Sequence, residues 1–180
     1  MRAYKTEGIV IRRKNYLEAD RILTIFTRRK GKIRVKAKGV RKITSRRSGH
    51  IELLNHSVFS LYQGQAMPVL TEAETLKNYS MLKKDLKRIG IAYHFCELVD
   101  GLCPENQENE EIFILLQQAL DTISSDERLD LITHRFELKL LTLLGFSSPG
   151  QKMDREEAEN FIESILERKL KTKQLLPRLS

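Results

Sequence analysis

Lys32, Arg34, Lys36 and Lys38 occupy every second position of the run Gly31-Lys-Ile-Arg-Val-Lys-Ala-Lys38, with Ile33, Val35 and Ala37 between them. Side chains of a strand alternate between its two faces, so this spacing predicts Ile33, Val35 and Ala37 in a core and a row of cations on the opposite side. The chemistry such a row can do is to bind a polyanion. The run lies in a wider window, residues 21–51, that holds no acidic residue and twelve basic ones: Arg21, Arg28, Arg29, Lys30, Lys32, Arg34, Lys36, Lys38, Arg41, Lys42, Arg46 and Arg47. The charges are single-signed, phased onto one strand face, and continued into a connection that ends in Arg46-Arg47. Each cation that reaches a phosphate releases condensed counterions, so binding is expected to be steeply salt-dependent and largely indifferent to base sequence. The candidate nucleic-acid-binding residues are Arg28, Arg29, Lys30, Lys32, Arg34, Lys36, Lys38, Arg41, Lys42, Arg46 and Arg47. Aromatic residues nearby are few (Tyr4, Tyr16, Phe26, Phe59, Tyr62), and Phe26 and Phe59 are expected in the core, so base stacking is secondary.

Other chemistries find less to work with. Cys96 falls on an apolar helical seam, as a small buried hydrophobe would. His94-Phe-Cys96 with the distant Cys103 lacks the paired C-x-x-C spacing of a structural zinc site, so no metal is expected. His50 and His56 flank the exit of the basic connection, within expected reach of phosphate, and His134 lies beside the packed face of a helix. Neither a G-x-x-x-x-G-K-[ST] loop nor a G-x-G-x-x-G loop occurs. A metal-dependent nuclease needs clustered carboxylates along the phosphate path, and the acidic groups at Glu108, Glu110, Glu111, Asp154, Glu156, Glu157 and Glu159 instead suit helix first turns. No active site and no cofactor are expected: the chain reads as a binding protein, not an enzyme.

The elements that must position the cations divide the chain. Residues 1–80 hold 18 Lys+Arg against 6 Asp+Glu and residues 81–180 hold 14 against 18, so the net +8 splits into +12 and −4. That asymmetry predicts two domains, the first facing a polyanion and the second facing proteins. Strand patterns occupy Lys5–Arg13, Asp20–Thr27, Gly31–Lys38, Val58–Tyr62 and Pro68–Ala73, with the long basic connection Gly39–Ile51 between the third and fourth. Five short strands in so few residues predict a five-stranded OB-fold β-barrel over residues 1–78. From residue 79 to 180 the period becomes helical: Leu82, Leu86, Ile89, Tyr93, Cys96; Ile112, Leu116, Ala119, Ile123; Leu129, Ile132, Phe136, Leu140, Leu143; Ala158, Phe161, Ile165, Leu166. Ser124-x-x-Glu127 and Asp154-x-x-Glu157 are candidate capping boxes, and Gly145 with Pro149 beyond it marks a helix stop. The fold class is α+β, an OB-fold barrel followed by an all-α domain. No run of about 18 apolar residues indicates a membrane span, no signal peptide is evident, and the two cysteines suit a reducing cytoplasm.

The order of several segments resembles the bacterial recombination-mediator family RecO. They are Glu7-Gly-Ile-Val-Ile11 with Tyr16-Leu-Glu18-Ala-Asp20, Phe26-Thr27 and Gly31; Ala37-Lys-Gly-Val-Arg-Lys42 with Ser45 or Ser48; and Leu70-Thr-Glu-Ala-Glu74. In the second half they are Ala92-Tyr93, Glu97-Leu-Val-Asp100, Leu102-Cys-Pro-Glu105, Asn109, Phe113, Leu116 and Leu120, then Phe136-Glu-Leu138, Leu140-Leu141, Leu144-Gly-Phe146 and Pro149, then Lys169-Leu-Lys-Thr172. The resemblance implies an N-terminal OB-fold and a helical domain. It also implies binding of single- and double-stranded DNA, annealing of strands coated by single-stranded-DNA-binding protein (SSB), and help in loading RecA together with RecR. The helical part would contact the acidic SSB tail, and the protein would be cytoplasmic and nucleoid-associated. Many family members carry a four-cysteine zinc module after the Gly-Phe-x-x-Pro stop; here Ser147–Met153 leads straight to the cap at Asp154, so the zinc module is expected to be absent. The competing expectation from the residues alone is a basic OB-fold protein bound to ribosomal or other structured RNA.

Overall fold

The structure, a computed structural model, describes residues 2–174. The chain divides into two compact units, Met1–Asn78 with Pro104–Phe113, and Tyr79–Cys103 with Ile114–Ser180.

The first unit is a closed barrel of five strands: β1 (Ala3–Tyr16), β2 (Asp20–Thr27), β3 (Gly31–Ala37), β4 (His56–Tyr62) and β5 (Val69–Lys77), in the order β1-β2-β3-β5-β4. β1 to β3 form a meander, with Ile9 opposite Phe26 and Ile25 opposite Ile33. β4 pairs antiparallel with both β1 and β5, and a parallel contact of Lys36 with Val69 joins β3 to β5. This is the expected OB-fold. β1 and β5 run beyond their apolar centres because the ladder is satisfied by backbone groups whatever the side chains are. Alternation does its work in β3: Ile33, Val35 and Ala37 are buried together with Val10, Leu23, Ile25, Phe59, Leu61 and Leu70. In β2 both faces are covered, since Thr24 and Phe26 are buried as well as Leu23 and Ile25.

The connection between β3 and β4 is folded rather than loose. Val40 and Ile51 enter the barrel core, and the backbone closes successive turns through Lys42 N–H to Gly39 O (3.2 Å), Ser45 N–H to Lys42 O (3.0 Å) and His50 N–H to Arg47 O (3.0 Å). Residues 104–113 also belong to this unit. Glu105 bridges Lys32 of β3 in parallel, and Asn106 N–H donates to Lys32 O at 2.8 Å. The approach is so close that a Cβ on Gly31, which sits at φ +64°, would lie 1.9 Å from Gln107 O. Only glycine tolerates both conditions.

The second unit is helical: α1 (Leu86–Leu102), the greater part of α2 (Glu110–Ile123), α3 (Leu129–Leu143) and α4 (Arg155–Leu166). The α2 pattern is as expected, with Ile112, Leu116, Ala119 and Ile123 all buried. The seam expected for α1 is displaced. Leu82 precedes the helix, while Leu86 and Tyr93 are exposed. The buried apolar side chains are those of Ile91, Ala92, Phe95, Cys96, Leu98, Val99 and Leu102. A helix covered on several sides has no single apolar stripe for the period to reveal. The Asp154–Glu157 capping box is present and opens α4. That at Ser124–Glu127 is not: Ser124 Oγ bonds back to Leu120 O, and Glu127 accepts from Arg88 at 2.7 Å. Gly145, at φ +79°, ends α3 with its N–H on Thr142 O and Phe146 N–H on Leu141 O, the paired bonds of a Schellman stop.

Candidate nucleic-acid interface

The eleven candidate cations separate into two groups according to what each already touches. Those on or before β3 are largely engaged. Arg28 lies beside Glu7 (Nε to Oε2 3.2 Å) and Glu110 (3.5 Å), with its guanidinium 5.1 Å over the Phe113 ring. Arg34 pairs with Glu105 at 2.9 Å. Lys36 is 3.9 Å from Asp20 and sits over Tyr16. Lys32, expected on the cationic face, is buried beside the 104–107 segment. Residues 21–51 are thus free of acid in sequence but not in space, because Glu7, Asp20, Glu105 and Glu110 fold back onto them. Arg29 and Lys30 remain exposed at the β2–β3 turn, Lys30 over the Tyr4 ring at 4.7 Å. Burial raises the Tyr4 hydroxyl pKa, which keeps that ring neutral.

The second group lies on the connection. Lys38, Arg41, Lys42 and Arg46 are exposed and form no ion pair among the described residues. Arg47 differs: its guanidinium donates to Leu70 O (2.9 Å) and Lys38 O (2.7 Å), pinning the connection to β5 and to the end of β3. Arg41 donates to Leu17 O at 3.1 Å, and Asp20 accepts from Gly39 N–H at 2.9 Å, so the connection is also tied to the β1–β2 turn. Between that turn and the connection runs an open groove of about 800 Å³ whose lining includes Lys38, Lys42, Thr44, Ser45 and Arg46 on one side and Leu17, Glu18 and Asp20 on the other.

Further cations lie near this end of the barrel. Burial, then repulsion by Arg13 and Arg41, holds the Arg21 pKa below its ordinary value against a weaker opposing pull from Glu52. Arg13 was not among the candidates, although the basic triplet Arg12-Arg13-Lys14 is visible in the sequence; it lies on the N-terminal side of Glu18 and Asp20, outside the acid-free window. Thr44, Ser45 and Leu17 were also missed, because only the folded connection brings them together.

The histidines flanking the connection are committed to the protein. His56 is buried, bonded to Glu7 at 2.7 Å and edge-on to Phe113, so it is not available to phosphate as expected; His50 Nδ1 is 2.8 Å from Thr75 Oγ1. In the helical unit, burial and the Asp100 charge push the Cys96 thiol up to about 12, so it is not a nucleophile at neutral pH. Among the described residues no group of three or more His, Cys, Asp or Glu is arranged to hold a metal ion, and no helix is long and apolar enough to cross a membrane. The helical unit has its own cavity of about 480 Å³ around the buried His94–Glu137 pair (2.7 Å), lined by both signs of charge: Lys87, Arg155 and Lys173 against Asp130, Glu156 and Glu159.

An OB-fold barrel with a basic, groove-bearing β3–β4 connection, joined to a helical unit, defines an α+β protein of the OB-fold class. Family comparison narrows that class. The family model described as recombination protein O, N terminal, matches residues 1–79, and that described as recombination protein O, C terminal, matches residues 83–152. The chain belongs to the RecO family. It is 42% identical over 145 residues to the DNA repair protein RecO of Roseiflexus sp. (strain RS-1), covering 81% of this chain and 51% of that protein. It is 36% identical to that of Pelotomaculum thermopropionicum, covering 81% and 57%, and 36% identical to one from Dehalococcoides mccartyi, covering 91% and 62%. The chain spans between 51% and 62% of the length of these curated relatives.

Proposed function

We propose that this chain is a DNA-binding mediator of recombination and repair, with its phosphate path on the barrel and its protein contacts on the helical unit. The observation that carries the reading is the group of exposed cations without ion pairs, Lys38, Arg41, Lys42 and Arg46, on an OB-fold barrel of a family whose relatives are named DNA repair proteins. Neutralising two strands on one basic surface lowers their mutual repulsion, which is the physical requirement for annealing. In this reading the protein binds single- and double-stranded DNA, anneals complementary strands coated by SSB, and assists RecA loading with RecR. The SSB-tail contact is assigned to the helical unit from the family resemblance alone: its cavity is lined by Asp130, Glu137, Glu156 and Glu159 as well as by Lys87, Arg155 and Lys173, and Arg155 and Lys173 pair with Asp130 and Glu159.

Annealing of SSB-coated complementary oligonucleotides tests the reading directly. The chain is expected to accelerate annealing at low salt and to lose the effect steeply as salt rises. Competition with RNA hairpins is the discriminating arm. Displacement of DNA by RNA at equal concentration, with no annealing of SSB-coated strands, would favour an RNA-binding protein and sink the mediator reading.

A further inference from the structure

We propose that Ile43 and Leu17 form an apolar lip that packs against exposed nucleobases while Lys38, Lys42 and Arg46 hold the adjoining phosphates, making the groove a site for single strands and strand junctions rather than for continuous duplex. This deepens the DNA-binding reading above and rests on it.

Ile43 and Leu17 are the two most exposed large hydrophobic residues among those described, at 106% and 69%. A lone exposed aliphatic residue needs no explanation. Two of them on separate loops that are tied together do. Leu17 is held in the left-handed region at φ +51°, a conformation that strains any residue with a Cβ and that glycine or asparagine would adopt more readily at a turn tip. Its carbonyl accepts from the Arg41 guanidinium, and Arg41 N–H donates to Ala19 O at 3.0 Å. The turns through Gly39, Lys42 and Ser45 fix the backbone on both sides of Ile43. Neither side chain can therefore hide without breaking hydrogen bonds that define the connection.

The surroundings specify the ligand. Leu17 lines the groove, and Ile43 stands between its lining residues Lys42 and Thr44. The same groove presents Lys38, Lys42 and Arg46, which form no ion pair among the described residues, opposite the carboxylates of Glu18 and of Asp20, the latter already accepting from Gly39 N–H. Ser45 Oγ is buried there with no hydrogen-bond partner among the described residues. A ligand that satisfies all of these carries phosphates and flat apolar faces at a fixed spacing. Nucleic acid does so within a concave groove, whereas a lipid surface would leave the groove floor and Ser45 unfilled. Aliphatic wedges contact bases only where stacking is already broken or easily broken, at single strands, junctions and flexible steps.

The test compares the full chain with Ile43→Ser, Leu17→Ser and the conservative Ile43→Leu on oligonucleotides carrying 2-aminopurine, both single-stranded and as tailed duplexes. Wild type and Ile43→Leu are expected to change 2-aminopurine fluorescence on binding. Ile43→Ser should lose that change and bind about five- to tenfold more weakly, consistent with exposing part of one aliphatic side chain. The salt slope should stay the same because no phosphate contact is removed. If wild type binds DNA with a steep salt dependence and neither serine variant alters fluorescence or affinity, the lip is wrong and the DNA-binding reading stands. If wild type binds no DNA, both fall. If binding to vesicles of phosphatidylglycerol and phosphatidylcholine depends on Ile43 while 2-aminopurine does not respond, the lip belongs to a membrane and the proposal is overturned.

Discussion

Strand β3 and the connection that follows it both carry several positive charges, yet these meet opposite fates in the folded chain. On β3 and the turn before it, Arg28, Arg34 and Lys36 each face a carboxylate, and Lys32 is buried. On the connection, Lys38, Lys42 and Arg46 face solvent across a groove. The difference lies in what surrounds each element. A strand inside a closed barrel has neighbours on both edges and a covering segment, 104–107, that brings Glu105 to it. The connection is anchored by Val40 and Ile51 in the core, by the His50–Thr75 bond and by Arg41 and Arg47, and none of these anchors brings a carboxylate to Lys38, Lys42 or Arg46. Charge in sequence is therefore not charge available to a ligand, and the phosphate path we propose lies on the connection rather than on the strand face.

The largest expected effect separates the two regions at equal cost in charge. Lys38→Gln/Lys42→Gln/Arg46→Gln should weaken binding of single-stranded DNA by about 30-fold at low salt and reduce the salt slope by about 2, at roughly 0.7 for each lost phosphate contact. Arg28→Gln/Arg34→Gln/Lys36→Gln should change affinity by less than about threefold, since those cations are already compensated. Fluorescence anisotropy across a salt series measures both. Equal losses from the two triple variants would erase the distinction.

Much of this architecture is legible in the sequence. The alternation of Lys32–Lys38 locates β3 and its buried face, because in a barrel the inner face must be apolar whatever binds outside. The Asp154–Glu157 box and the Gly145 stop are equally local, and both are present. What the sequence could not show depends on pairs far apart in the chain. Glu105 reads as a loop residue until it is seen against Arg34, and Glu127 reads as half of a capping box until Arg88 claims it. His56 follows the basic connection in sequence, which put it within expected reach of phosphate, whereas its neighbours in space are Glu7 and Phe113. The ion pairs of Arg28, Arg34 and Lys36 escape a sequence reading for the same reason: hydrophobic periodicity reports burial, but no local pattern reports which cations will find a carboxylate.

Arg47 gives a smaller, sharper test because it has the charge of a phosphate ligand and the contacts of a clamp. Arg47→Ala removes two hydrogen bonds, to Leu70 O and Lys38 O, and should loosen the connection so that binding must reorder it. A loss of roughly three- to tenfold is expected, with an unchanged salt slope and faster proteolysis within residues 39–51. Arg47→Lys should restore little, since an ammonium cannot reproduce the fork that reaches two carbonyls. A slope lowered by about 0.7, with proteolysis unchanged, would instead make Arg47 a phosphate contact.

The smallest effect probes β3 from the acidic side. Glu105→Gln removes the carboxylate 2.9 Å from Arg34 while keeping the length and planarity of the side chain. Both partners are about half exposed, so the pair itself is worth at most about 1 kcal/mol, and its loss should scarcely alter stability. The freed guanidinium, however, becomes available to a strand lying along the barrel. Affinity should rise by about two- to threefold and the salt slope by no more than about 0.7. Adding Arg34→Gln to Glu105→Gln should abolish the gain, whereas Arg34→Gln alone should do almost nothing, and that non-additivity is the signature of a cation held in reserve by its own protein. Were Arg34→Gln alone to cost as much as a substitution at Lys42, Arg34 would already exchange Glu105 for phosphate when DNA arrives, and β3 and the connection would form one continuous path.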